Sequence, residues 1–390
     1  MANLPAYIGP AAFGLKMGVI VPGSDLLAMI VGVANECHED SLLDDGDVLC
    51  VTESVLARSQ NNYVTIAEIA AEVKEKLGIR PHGKVGVVFP IASRNRFVMI
   101  LQAIAAAVPQ GEVVVQLSWP RDEVGNQIIG EDFIGDRGKV SSDAISPQEL
   151  AGYSYKHPVT QVDYIQLYRQ TIVGQGAKAT IVLNNNPEYI LSFSPDGVIA
   201  ADIHSRDRTL AAIASKCKAI TLADLCSSPN RSAWSEWGLL GSNMSSGDRL
   251  KLAPREASPF SLKVQQEVAR LTGKKIEVLI YGDGAYKDPS TQIYELADPK
   301  PVFGATAGFA NLFREGVKYK YLVDYYHHQG QSVGEIQELL EQKLQGDFSQ
   351  ANTEGTTPRC LEDVIASLAD LVSGSADAGT PAVLVKGFFD

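Results

Sequence analysis

The chain has 390 residues, 45% apolar and 21% charged, which is the balance of a globular protein and excludes a disordered or fibrous one. Acidic residues number 46 against 34 lysines and arginines, and a net charge of −12 repels phosphate backbones and anionic lipid, so neither nucleic acid nor a membrane is expected as a partner. The longest apolar runs fall short of a membrane span, the N-terminus carries no basic leader, and the five cysteines show no C-x-x-C spacing, so the expected location is the cytoplasm with reduced thiols.

Ser24 is placed to cap a helix over 25–35, and residues 46–52 read as a short buried strand. Thr65 and Glu68 form a capping box for a helix with Ile66, Ile69, Ala70, Val73 and Leu77 on one face and Gly78 at its end. A Val-rich strand at 84–90, a helix over 94–108 and a strand at 112–118 follow in close succession, which predicts a βαβ unit with a parallel pair. The stretch 120–154 has many Gly, Asp and Ser residues without a period and reads as a long surface loop. Residues 180–202 hold three strand-like runs separated by Asn-Asn-Pro and Pro-Asp-Gly turns, which predicts an antiparallel meander.

In the last third, Ser258-Pro259 opens a helix with the apolar face Phe260, Leu262, Val264, Val268 and Leu271, closed by Gly273. The strand 275–281 then runs straight into GDGAYKDP. Thr357-Pro358 repeats the same opening device before a helical stripe from Leu361 to Val372, and PAVLVKGFF supplies a terminal strand.

No P-loop, no G-x-G-x-x-G after a strand, no H-E-x-x-H and no G-x-S-x-G occurs. Asp283 and Asp288, set around glycines and Lys287 at a strand's end, suit a hard cation such as Mg²⁺ or Mn²⁺, or make an Asp-Gly turn. Glu295 and Asp298 either add oxygen ligands or lie on a solvated helix face. Arg94 and Arg96 directly follow a buried strand, a position suited to phosphate or carboxylate, or simply to water. Asp122, Glu123 and Asn126 follow the next strand, making with those arginines either one site or one salt-bridged surface. WGLLGSN at 237–243 is either a nucleotide contact or a plain turn, and the pair His327-His328 reads as an exposed loop or helix edge.

Several blocks taken together resemble the coenzyme F420-0:L-glutamate ligase (gamma-glutamyl ligase) family, and most closely a longer branch of it whose loop reads YGDGA[FY]KDP. GDVLCVTESVLARSQNNY at 46–63 is similar to its first block, and GLLGSN, KLAPREASP and KKIEVLIYGDG follow in the family's order. The segment 355–390 resembles its C-terminal block. The resemblance implies an α+β, mixed α/β fold in which 1–79 and 236–390 form the ligase-like core. The stretch 80–235 is then an inserted α/β domain holding the βαβ unit and the meander.

The same resemblance implies a GTP- (or ATP-) and Mg²⁺- or Mn²⁺-dependent ligase that joins an amino acid to a small-molecule acid through an acyl phosphate, and a homodimer. Position by position, it assigns Thr52, Glu53, Ser54 and Arg58 to a first nucleotide block and Gly241, Ser242 and Asn243 to a second. Asp283 and Glu354 fall near its metal-binding acids, with Asp288 as a third candidate ligand. The chain departs from the family pattern at Ser54, where the family has lysine, and at Gln60. It also lacks the family's loop arginines, leaving Lys287, Arg94 and Arg96 as the candidate catalytic cations. The acceptor acid and the choice of nucleotide stay open, and a non-catalytic nucleotide- or metabolite-binding protein of the same fold is the alternative.

Overall fold

Two five-stranded sheets divide the chain, one mixed and one wholly parallel. The computed structural model describes residues 7–158, 160–283, 298–314, 318–344, 359–373 and 379–389, with 286–287, 294–295, 314 and 343–344 described by backbone alone. The chain begins with β1 (Ala11–Leu15), α1 (Leu26–Glu39), β2 (Val48–Thr52), α2 (Glu53–Ser59), β3 (Tyr63–Thr65) and α3 (Ile66–Leu77). Next come β4 (Lys84–Val88), α4 (Val98–Ala107), β5 (Glu112–Leu117), α5 (Glu131–Asp136), α6 (Tyr164–Val173), β6 (Lys178–Leu183), β7 (Gly197–Ala200), α7 (Arg206–Ile213) and β8 (Ala219–Thr221). Then follow β9 (Asn243–Met244), β10 (Arg249–Lys251), α8 (Ala257–Thr272), β11 (Glu277–Tyr281), β12 (Tyr286–Lys287), β13 (Tyr294–Glu295) and β14 (Val302–Ala305). The remainder is β15 (Phe313–Arg314), α9 (Tyr319–His328), α10 (Val333–Leu344), β16 (Arg359–Cys360), α11 (Leu361–Ser373) and β17 (Ala382–Lys386).

The mixed sheet has the order β1-β17-β2-β11-β14, with only the β2–β11 pair parallel. Every residue of β2 is buried. Leu49 and Val51 pack with α1 and α8 on one face, while Val48 and Cys50 meet α11 on the other. That two-sided covering is why the strand reads as a continuous apolar run. Lys386 of β17 is buried, with its ammonium 2.5 Å from Asp47 and 3.0 Å from Asp44, which pins the turn entering β2.

The second sheet has the order β6-β5-β4-β7-β8, and all of its pairs are parallel. Within it β4, α4 and β5 form a βαβ unit of adjacent parallel strands, and the strand order reverses between β4 and β7. In such doubly wound sheets, ligands bind in the crevice beyond the strand ends at that reversal. The expected antiparallel meander at 180–202 does not form. Asn186 caps a 3₁₀ turn over Pro187–Phe193 and accepts the Glu188 N–H, so Asn-Asn-Pro starts a helix rather than a hairpin. The Pro-Asp-Gly turn is tied to β4 through Asp196, whose carboxylate accepts the Lys84 N–H at 2.7 Å.

The stretch 120–154 is not a surface loop throughout. Val124, Ile128, Ile129, Phe133, Ile145 and Leu150 are all buried against the parallel sheet's core, although their spacing has no period. Helix starts shift slightly from the expected positions. Asp25, not Ser24, caps α1, α4 starts at Val98, and α8 starts at Ala257. The Thr65–Glu68 capping box forms as expected, and Gly78 ends α3 at φ 69°. Thr357-Pro358 lies outside the described residues. His327 and His328 end α9 as exposed residues. Among the described residues, no helix is long and apolar enough to cross a membrane.

Candidate functional site

The parallel pairing of β2 with β11 sets Thr52 opposite Tyr281, so the residues that leave these two strands, Glu53 and Gly282-Asp283, emerge side by side. Thr52 ends β2 and precedes the short helix α2, its N–H donating to Pro381 O at 3.0 Å. Gly282 must be glycine, because a Cβ there would collide with the Phe303 ring and the Asp298 carboxylate. Asp298 stands just before β14, the antiparallel neighbour of β11, and is 2% exposed. Its Oδ2 accepts the Asp283 N–H at 2.8 Å.

Arg96 reaches these two acids from the other sheet. Its Nη1 donates to Asp298 Oδ1 at 2.7 Å, and its Nη2 donates to Asp283 Oδ2. The connection from β4 to α4 that carries it is fixed at several points. The Ala92 N–H donates to Asp122 Oδ2 at 2.7 Å, and the Arg96 N–H to Ser93 Oγ at 3.1 Å. The Met244 N–H donates to Asn95 O at 2.8 Å, which ties this connection to the GLLGSN block. Beside them, Lys251 Nζ lies 2.9 Å from both carboxylate oxygens of Glu53, and both side chains are under a tenth exposed.

Three carboxylates and two cations therefore share one largely buried place. Burial raises Glu53 to about 7 despite Lys251, with the Asp298 and Asp283 charges adding to the rise. Burial, then the Asp298 charge, raises Asp283 to about 6 against the opposing pull of Arg96. Burial works against the Arg96 cation, but Asp298 and Asp283 outweigh it and drive its pKa up. Glu53 and Asp283 each resist ionising, and the cations make the set tenable.

A narrow apolar recess of about 20 Å³, with room for little more than a water molecule, lies next to this cluster. Ile91 and Ile203, from beyond β4 and β7, place it at the reversal point of the parallel sheet, and Arg96, Gly241 and Ser242 stand at its edge. Gly241 has φ 69° and faces the Phe303 ring, and Ser242 Oγ donates to Leu239 O at 2.7 Å. Asn243 begins β9 opposite Lys251.

The structure thus gathers Thr52, Glu53, Asp283 and Arg96 with Gly241–Asn243 nearby. Ser54 is half-buried on α2. Arg58 lies elsewhere, with Lys16, Val55 and Pro381 in an open cleft of about 470 Å³. Arg94 is exposed. Asp288 and Glu354 lie outside the described residues, and Lys287 is described only by its backbone. Asp122 and Glu123 are both engaged by backbone N–H groups. Asp122 organises the loop that carries Arg96, and Glu123 accepts the backbone N–H groups of Ile203, His204 and Ser205 ahead of α7.

A family model described as F420-0:gamma-glutamyl ligase matches residues 14–387. The chain belongs to that family. No curated protein matches it. Two of the residues at the centre of this cluster carried little weight in the sequence. Asp298 sits in an E-x-x-D pattern that also fits a solvated helix face, and the Asp-Pro step that brings the chain into β14 was its better signal. Lys251 stands between Leu250 and Leu252 in a short strand, and a lysine inside an apolar run was the mark of a buried cation that needs a partner.

Among the described residues no three metal-ligating side chains lie close enough to hold one ion together. Asp283 and Asp298 supply two hard carboxylate donors at one place, a chemistry that fits Mg²⁺ or Mn²⁺ rather than a soft metal.

Proposed function

We propose that this family member is a nucleotide- and divalent-metal-dependent ligase that forms a γ-glutamyl-type amide between an amino acid and a small-molecule acid. The observation that carries this reading is the convergence of Glu53, Asp283 and Asp298 with Lys251 and Arg96 at the joined ends of β2 and β11. Amide formation from a carboxylate needs the departing oxygen activated. In the reading proposed, the acid's oxygen attacks the terminal phosphorus of GTP or ATP, releasing nucleoside diphosphate. The amine then attacks the acyl carbon, releasing inorganic phosphate and one proton.

Bound at Asp283 and Asp298, Mg²⁺ or Mn²⁺ would neutralise charge on the transferring phosphoryl group. The chain's own groups supply the rest. Arg96 and Lys251 offer cations for phosphate or carboxylate oxygens. Glu53, raised to about 7, is matched to hold the proton that the attacking amine loses near neutral pH. The narrow apolar recess beside Arg96 admits no more than a methyl-sized part of the acceptor acid. Gly241, Ser242 and Asn243, with Thr52 and Ser54, form the nucleotide-facing edge. A cytoplasmic homodimer completes the reading, by analogy with the family's short members.

Incubation with GTP or ATP, Mn²⁺, glutamate and a panel of small carboxylic acids tests it. Nucleoside diphosphate release that requires one of the acids is the expected result. Nucleotide binding with no turnover against any acid would favour a non-catalytic binding protein instead.

A further inference from the structure

We infer that Arg96 is an exchangeable internal cation, holding Asp283 and Asp298 in the place of a divalent ion and releasing them when one enters. The identity of the incoming ion rests on the ligase reading, but the test below does not.

Both carboxylates meet the same guanidinium, and one of them also accepts the other's backbone N–H. Two carboxylates brought this close repel unless a cation lies between them. Arg96 meets that need with a planar fork that serves two oxygens at once. The site is not sealed behind it. The Asp283 side chain is 39% exposed, while that of Asp298 is 3% exposed and held in place. One acid is thus a fixed anchor, and the other is open to an arriving ion.

The backbone around Arg96 is fixed by Ser93 Oγ, by the Met244 N–H and by the Asp122-bound Ala92, so leaving the acids requires only rotation of its own side chain. Arg96 also lines the recess together with Gly241 and Ser242. A guanidinium released from the acids toward that lining keeps its charge beside the place proposed for phosphate and offers the same fork to phosphate oxygens. The parallel sheet, which contributes Arg96, would in this way couple metal entry at the mixed sheet to the recess at its own strand ends.

Mn²⁺ titration of the full chain without nucleotide, followed by the electron paramagnetic resonance signal of free Mn²⁺, decides the matter. Arg96→Gln should bind Mn²⁺ at least tenfold more tightly than the wild type, and adding Asp283→Asn to that variant should remove the gain. Arg96→Lys, whose ammonium lacks the fork, should fall between the two and carries the test if Arg96→Gln does not fold. Variants that bind Mn²⁺ no more tightly than the wild type would overturn the inference. Failure of the ligase reading alone would show instead as a preserved gain in Mn²⁺ affinity with no acid-dependent nucleotide turnover.

Discussion

Lys251 Nζ sits 2.9 Å from each carboxylate oxygen of Glu53, joining residues 198 positions apart inside the protein. Removing one partner of such a pair leaves an uncompensated buried charge. Lys251→Met should cost about 3–5 kcal/mol at pH 8 and less at pH 6, because the unpaired Glu53 can then take up a proton. Urea unfolding at the two pH values measures the difference. The double variant Glu53→Gln with Lys251→Met should recover most of the loss, and an equal loss at both pH values would argue against a strained Glu53.

Asp202 gives a second pH dependence, away from the charge cluster. It is 1% exposed, accepts the Thr209 hydroxyl at 2.8 Å, and burial followed by the Glu123 charge leaves it raised from 3.8 to about 6. The folded protein therefore holds this proton more tightly than the unfolded chain. The resulting stabilisation is complete below about pH 4 and is lost as the pH rises through 6. Asp202→Asn should flatten the stability profile between those values and be more stable than the wild type at pH 7, by at most about 3 kcal/mol. Denaturant midpoints across that range give the slope directly.

Gly282→Ala inserts a methyl group between the Phe303 ring and the Asp298 carboxylate. Moving either partner should cost about 1–3 kcal/mol of stability. Because the same shift disturbs the Asp283–Asp298 contact, nucleotide binding should fall further than the loss of stability accounts for. Calorimetric titration at a temperature where the variant is fully folded separates the two effects.

Asp283→Asn preserves size and turn preference while removing a charge that Arg96 and the proposed metal both use. The fold should survive. Nucleotide affinity in the presence of Mn²⁺ should drop about tenfold, or about 1.4 kcal/mol, while affinity with chelator stays unchanged. An unaltered metal dependence would make Asp283 a turn residue only.

The parts of the fold that the sequence showed most plainly were those written locally. The Thr65–Glu68 box, the apolar run of β2 and the strand leading to Asp283 all depend on neighbours within a few positions. Strand direction was not local. Residues 178–200 carry turn chemistry that fits a hairpin, yet the helices covering both faces of the sheet make its strands parallel. The buried residues of 120–154 pack without a repeat, so periodicity could not find them. The site was legible in the same measure. Glu53 and Asp283 stand in recognisable blocks, whereas the tie between Arg96 and Asp298 spans 202 positions and depends on how two sheets meet. No spacing rule reaches that far.

The most direct measurement of the central claim follows oxygen through the reaction. The acceptor acid is labelled with ¹⁸O in its carboxylate and supplied with nucleotide, Mn²⁺ and glutamate, and the released inorganic phosphate is analysed by mass spectrometry. An acyl phosphate route transfers one carboxylate oxygen to phosphate in each turnover, together with an amide product heavier than the acid by glutamate less water. Phosphate released without the label would contradict the account.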